Sequence, residues 1–195
     1  MDNTKPKEFE PKLDEINSLL GENKHIDILV NNAGVQGAKF GSANEEEYDL
    51  VMDTNLKGPF FLSQLIARRM VNEGIKGNIL NICSTSSLRP AGDAYTLSKV
   101  ALKALTEGMA KTLVGKGIIV NGIAPGPTAT PMLHRDAVGD ISAPFNPLGR
   151  CALPEEIANM AVMLCSTLGR TIVGSVVYMT GGAGLLTKDD VKYQF

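Results

Sequence analysis

Four short runs rich in β-branched and apolar residues dominate the chain: Ile26–Val30, Asn78–Ile82, Gly117–Asn121 and Ser175–Met179. None alternates polar with apolar residues, as a strand with one wet face would, so each is predicted to be a strand buried on both faces. Stretches of helical periodicity lie between and before them, at 9–22, 45–73, 93–114 and 154–168. Proline and two acids open the last of these (Pro154, Glu155, Glu156), and Gly115 and Gly117 close the third. Strand–helix alternation of this kind predicts an α/β fold: a Rossmann-like parallel sheet with helices on both faces. At 195 residues, 44% of them hydrophobic, the chain can bury one sizeable core, and a single domain over 1–195 is expected.

Charge narrows the function. Nineteen basic residues stand against 21 acidic ones, for a net charge of −2 and no block of five like charges. That balance gives no footprint for nucleic acid or a membrane surface. The apolar runs are far too short to span a bilayer, and Met1–Glu8 is too polar for a signal sequence. Cys83, Cys151 and Cys165 are odd in number and lack metal-ligand spacing, which suits a reducing compartment, the cytoplasm by default, and no metal.

The first strand raises a difficulty. Ile28, Leu29 and Val30 are as apolar as an interior strand, yet a helix and no strand precedes them. A naked apolar edge is a liability in a folded protein. Two resolutions are open: the N-terminal helix covers this edge, or the chain lacks the first β-α-β-α-β half of the arrangement.

Four motifs fall, in order, at the ends of successive segments. Asn31-Asn32-Ala33-Gly34 follows the first strand, Cys83-Ser84 the second and Pro125-Gly126 the third, while Tyr95 and Lys99 open the helix between the last two. Strand ends on one edge of a parallel sheet form the crevice in which such folds bind ligands. Positions 95 and 99 share a helix face, so a phenol and an ammonium can converge there. On the helix before, Pro59 has no N–H to give the carbonyl of Asn55, and Gly58 precedes it, so a kink is predicted and the Asn55 carbonyl is left free.

With these motifs the chain resembles the short-chain dehydrogenase/reductase family, in its compact single-domain branch, from about Phe9 to Gly182. Gly149-Arg150, the run from Pro154 to Ala158, and Thr180-Gly181-Gly182 extend the likeness. The resemblance implies an oxidoreductase that moves hydride between NAD or NADP and a small carbonyl or alcohol substrate, such as a 3-oxoacyl group. It implies that Tyr95 exchanges the proton, which requires its pKa to be held well below the ordinary value near 10, and Lys99 and the positive nicotinamide ring are the charges expected to do this. Lys99 would also hydrogen-bond the nicotinamide ribose, Ser84 would orient the reacting oxygen, and Asn55 would hold a water in a proton relay. Asn31, Ala33 and Gly34 map to the adenosine side of the cofactor, and Pro125, Gly126, Thr128 and Thr130 to the nicotinamide side. A homo-oligomer, dimer or tetramer, built through helices 45–73 and 93–114 is also implied. The rival reading is an inactive remnant serving as an oligomerisation or binding module.

The chain departs from the family pattern in three places. No Gly-x-x-x-Gly-x-Gly loop follows a first strand, so the pyrophosphate lacks its usual backbone cradle and weak dinucleotide binding is expected. The glycines at 181, 182 and 184 follow the last strand and are predicted to form only a terminal turn. Ser84 stands 11 residues before Tyr95, closer than usual, with Cys83 beside it where serine or glycine is common, and Ser86 and Ser87 are alternatives for its role. His25 and His134 are predicted to be surface residues. Arg68 and Arg69 are expected on a solvated face, with an acidic carrier as the alternative. Thr128–Leu148, with Met132, Leu133, Phe145 and Leu148, is predicted to be a mobile lid for an apolar or mixed substrate.

Overall fold

A computed structural model describes residues 1–21, 24–133 and 137–186. Its elements are α1 (Phe9–Leu20), β1 (Ile28–Asn31), α2 (Glu45–Met52), α3 (Gly58–Glu73), β2 (Asn78–Ile82), α4 (Ala94–Leu113), β3 (Ile119–Pro125), α5 (Pro154–Cys165) and β4 (Val176–Met179). The strands form one sheet in the order β1-β2-β3-β4, every pair parallel. Leu29 pairs with Ile79, Ile79 with Val120, and Ile123 with Val177. The expected parallel α/β sheet is therefore present. Among the described residues no helix is long and apolar enough to cross a membrane, and no cluster of metal-ligating side chains occurs.

Alternation along the strands divides the core. On one face Ile79 and Val120 meet Leu13 of α1, Ile66 and Met70 of α3 and Ala110 of α4. Further along that face, Cys83 and Ala124 meet Leu102 of α4. On the other face Leu80 and Ile123 lie under Leu164 of α5. Helices thus cover both faces. The edge strand shows how far α1 reaches: Leu13 packs on the face that carries Leu29, while Ile28 and Val30 point to the opposite face and are each 45% exposed. Of the two resolutions for this edge, cover by α1 holds for one face only.

Boundaries shift where glycine or proline intervenes. Gly117 takes a left-handed φ of +81°, so the third strand begins at Ile119 and not at 117. It then runs four residues past the expected end, through Gly122 and Pro125. Both are poor strand formers, but at Gly122 a Cβ would come within 3.1 Å of Val176 Cγ2 and 3.2 Å of Cys83 Sγ, so the sheet requires a bare backbone there.

The predicted helix 45–73 contains a π turn, Asp53–Lys57, between α2 and α3. The Gly58 N–H donates to Asp53 O, five residues back. In that register the donor missing at Pro59 is missed by the Thr54 carbonyl, and Asn3 Nδ2 donates to it at 3.0 Å. The irregularity expected at Pro59 takes the form of this π turn, and the gap it leaves is at Thr54 and is filled from the N-terminal segment.

Of the basic pair, Arg68 is exposed as expected, and Arg69, half-buried, pairs with Asp14 of α1 at 2.6 Å. His25, partly exposed, lies 2.9 Å from Asp27, and His134 is outside the described residues. Because Leu13 is 3% exposed and joins α1 to the sheet, Leu13→Ala is expected to cost about 2–4 kcal/mol in urea denaturation. A cost below about 0.5 kcal/mol would show that α1 contributes no core.

Candidate functional site

The carboxyl ends of the four strands open onto a single edge, and the loops there bring most of the expected residues together. Asp93 caps α4 by accepting the Thr96 N–H at 2.6 Å, which sets Tyr95 in the first turn and Lys99 one turn later. The Lys99 Nζ lies 5.8 Å from the Tyr95 ring centre and donates to Ile82 O, at the end of β2, at 2.8 Å. Lys99 is only 4% exposed, and that burial lowers its pKa from 10.5 to about 8.

Tyr95 behaves differently from the expectation. Burial raises its pKa above the ordinary 10, and the largest opposing pull is a hydrogen bond from the Ser84 side chain, not the charge of Lys99. A lysine close to half neutral at mildly alkaline pH is a weak source of positive potential. In the free chain the phenol stays protonated and poised to donate.

Three serines compete for the position at the end of β2. Ser84 is in extended conformation, and its Oγ accepts the Ser86 N–H at 3.1 Å while its side chain also meets Tyr95. Ser87 Oγ is engaged with Ser84 O at 2.7 Å, and Ser86 Oγ is enclosed without a partner. Only Ser84 shares a site with Tyr95, so the short spacing in sequence does not displace it.

Asn55 is wholly buried in the π turn. Its side chain makes three hydrogen bonds. Oδ1 accepts the Val35 N–H at 2.8 Å, and Nδ2 donates to Val35 O at 2.9 Å and to Ser98 Oγ at 3.1 Å. Ser98 in turn donates to Tyr95 O at 2.6 Å. Reading the sequence for chemistry passed over Ser98, although a serine three residues into a helix after Tyr95 is a recognised back-bonding position. The clamp holds Gly34 against the lysine: a Cβ on Gly34 would lie 3.4 Å from Asn55 Oδ1 and 3.5 Å from Lys99 Nζ.

The residues mapped to the cofactor divide. Asn31 is buried, with its amide donating to Ser63 Oγ at 2.9 Å and to Asn81 Oδ1 at 2.8 Å, and Asn81 continues to Thr106 Oγ1 at 2.8 Å. Its side chain therefore ties β1 to β2 and α3. Ala33 is exposed and Gly34 half-buried, giving a smooth wall. Pro125 ends β3, where its carbonyl accepts from Thr85 Oγ1 at 2.7 Å. Gly126 passes so close to β4 that a Cβ would sit 2.8 Å from Thr180 Cα and O. Thr128 Oγ1 bonds Gly126 O at 3.0 Å, and Thr130 Oγ1 reaches Thr128 O at 3.4 Å.

The glycines after β4 form the expected turn, with the Leu186 N–H on Gly182 O at 2.7 Å and Gly181 against Asn146. Asn146 is 1% exposed and donates to Thr180 O at 3.2 Å, which fastens the end of the segment 128–148 to that turn. Within the segment Phe145 and Leu148 are 67% and 57% exposed. Beyond it, Arg150 grips Glu156 of α5 through two bonds of 2.8 and 2.7 Å, and this pairing holds the Glu156 carboxyl down at about 2.

The donor set fits a nicotinamide nucleoside. Lys99 carries three N–H donors of which one has its acceptor in Ile82 O, the wall beside it is glycine, and a tyrosine and a serine hydroxyl meet where a carbonyl oxygen could rest.

Lys99 also makes stability depend on pH. Its amine binds a proton more tightly in the unfolded chain, near 10.5, than in the folded one, near 8, so the unfolded state holds more protons between those values. Stability therefore rises with pH across that window, and below pH 8 the burial penalty, about 3 kcal/mol, is present in full. Lys99→Met is expected to raise stability at pH 7 by on the order of 1–3 kcal/mol and to flatten the rise, as measured by denaturation against pH. A variant that is less stable at pH 7 and keeps the wild-type slope would contradict this.

The family model described as "Enoyl-(Acyl carrier protein) reductase" matches residues 1–184. Gluconate 5-dehydrogenase of Gluconobacter oxydans is 39% identical over 164 residues, which are 80% of this chain, and the chain spans 64% of that relative's length. A gluconate 5-dehydrogenase from Burkholderia cenocepacia, solved with NADP and tartrate, superposes with a TM-score of 0.82 at 31% identity, covering 93% of this chain and 72% of that one. 4-Hydroxyisoleucine dehydrogenase, solved with NADH, gives 0.79 at 30% identity, covering 93% and 78%. The strand-end motifs, the parallel sheet and a match over nearly all of the chain agree: the chain belongs to the short-chain dehydrogenase/reductase family.

Proposed function

We propose that this chain carries the reacting half of a nicotinamide-dependent dehydrogenase/reductase acting on a small carbonyl or alcohol substrate. The observation that carries the reading is the meeting of a half-buried Tyr95, held in its neutral form, with Ser84 and a buried Lys99 at one strand edge.

In the reducing direction a substrate oxygen placed between Tyr95 and Ser84 accepts a hydrogen bond from each hydroxyl, which polarises the carbonyl. The bound nicotinamide, of NAD or NADP, supplies the hydride. As charge develops on the oxygen, Tyr95 delivers its proton, and the carbonyl with one hydride and one proton becomes the alcohol. Lys99 supports this twice: its free donors suit the ribose hydroxyls, and its charge, when protonated, stabilises the phenolate left behind. Gly34, Gly126, Thr128 and Thr130 would line the nicotinamide side, with Ala33 further along the wall and Pro125 setting the turn. Asn31 would act from behind, by fixing the end of β1.

A second copy of the chain is the proposed partner. An open, largely apolar groove of about 550 Å³ runs between α3 and α4, lined by Phe60, Gln64, Arg68, Val71, Leu105 and Met109. These are the two helices through which family resemblance implies a homo-oligomer. Free cysteines at 83, 151 and 165 suit the reducing cytoplasm.

Turnover assays with NADH and NADPH against a panel of ketones test the assignment. Tyr95→Phe is expected to lower kcat/KM by at least about 1000-fold while the chain stays folded. Unchanged turnover in that variant would remove Tyr95 from the chemistry. Wild-type chain without turnover under any pairing would favour a binding module in its place.

A further inference from the structure

We propose that Ser98 is a positioning residue of this site, joining the Asn55 clamp to the backbone of Tyr95. Its hydroxyl ties α4 to the Asn55 side chain, which in turn holds the loop after β1. It donates to Tyr95 O at 2.6 Å and accepts from Asn55 Nδ2 at 3.1 Å, and both Ser98 and Asn55 are fully buried. With that bond made, both amide hydrogens of Asn55 have acceptors, Val35 O and Ser98 Oγ, and Oδ1 holds the Val35 N–H.

The consequence reaches Lys99 through the loop. Val35 is held at both its N–H and its C=O, so the preceding Gly34 is fixed beside the lysine amine, where a Cβ would come within 3.5 Å of Nζ. Ser98 itself lies between Tyr95 and Lys99 on α4 but on the flank turned to the π turn. It touches no reacting atom. It sets the distance between the helix that carries Tyr95 and Lys99 and the wall that faces them.

Removing the hydroxyl leaves one Asn55 N–H buried without an acceptor, and the amide then has reason to turn away from Val35. The effect on Lys99 follows from the same movement, because a loosened Gly34–Val35 wall admits water to an amine whose pKa is low only through burial.

This assignment rests on the activity proposed above, so its first readout is independent of turnover. Hydrogen exchange at the Val35 amide is measured in the wild type, in Ser98→Ala and in Leu13→Val, which loosens the distant α1 core as a control for stability. In Ser98→Ala the Val35 amide is expected to exchange about 10-fold faster relative to global opening, whereas Leu13→Val leaves that ratio unchanged. Where turnover is present, kcat in Ser98→Ala is expected to fall about 10-fold with substrate KM within about two-fold, and the limb of the pH profile set by Lys99 to move up from near 8. Val35 exchange unchanged by Ser98→Ala would overturn the proposal. So would a fall in kcat with an unmoved pH profile. A wild-type chain without turnover would overturn the proposed activity alone, and the Val35 ratio would then decide the role of Ser98.

Discussion

The side-chain amide of Asn55 is the constraint on which the site depends. It is buried in a π turn and holds both main-chain groups of Val35 and the hydroxyl of Ser98. Three separate segments, the turn before α3, the loop after β1 and the first turns of α4, are thereby fixed to one another. A buried amide is costly unless every donor and acceptor is paired, which makes this junction intolerant of slippage. The π turn that carries it follows from Pro59, whose missing N–H is compensated by Asn3 at the Thr54 carbonyl. Local irregularity and site geometry have one origin.

Burial then sets the charges. Tyr95 is pushed toward its neutral form and Lys99 toward its own, so near neutral pH the free site holds less charge than its residue types suggest. Such a site gains from any positive charge brought close to the phenol. Folding carries the cost of keeping Lys99 dry, a stability disadvantage concentrated where the chemistry is proposed.

Much of this was legible in the sequence. The β-branched runs gave four strands, because a fully buried strand leaves a plain compositional mark. The helical range 93–114 and the spacing of Tyr95 and Lys99 located the start of α4 and the face on which both residues lie. Ser84 could be placed from the strand end alone. Other features were hidden because they depend on contacts between distant segments. The continuation of β3 through residues 122–125 has no mark in the sequence, since only the neighbours Val176 and Cys83 make glycine a requirement at 122. Asn31 reads as a cleft residue until Asn81 and Ser63 are seen to take its amide inward. Ser98 reads as an ordinary helical serine until Asn55 meets it. The edge at β1 was correctly read as unusual, but only the packing of Leu13 shows which of its faces α1 covers.

The central claim is that this edge receives a nicotinamide nucleotide beside Tyr95 and Lys99. Its most direct test is NMR titration of the chain with oxidised nicotinamide mononucleotide, which carries the reacting ring and ribose without the adenosine half. Signals of Tyr95, Lys99, Gly126 and Thr128 are expected to shift together, and the Tyr95 hydroxyl to titrate at lower pH than in the free chain, where burial holds it above 10. Shifts confined to the turn at Gly181–Gly184, or a Tyr95 titration unmoved at saturation, would contradict the account.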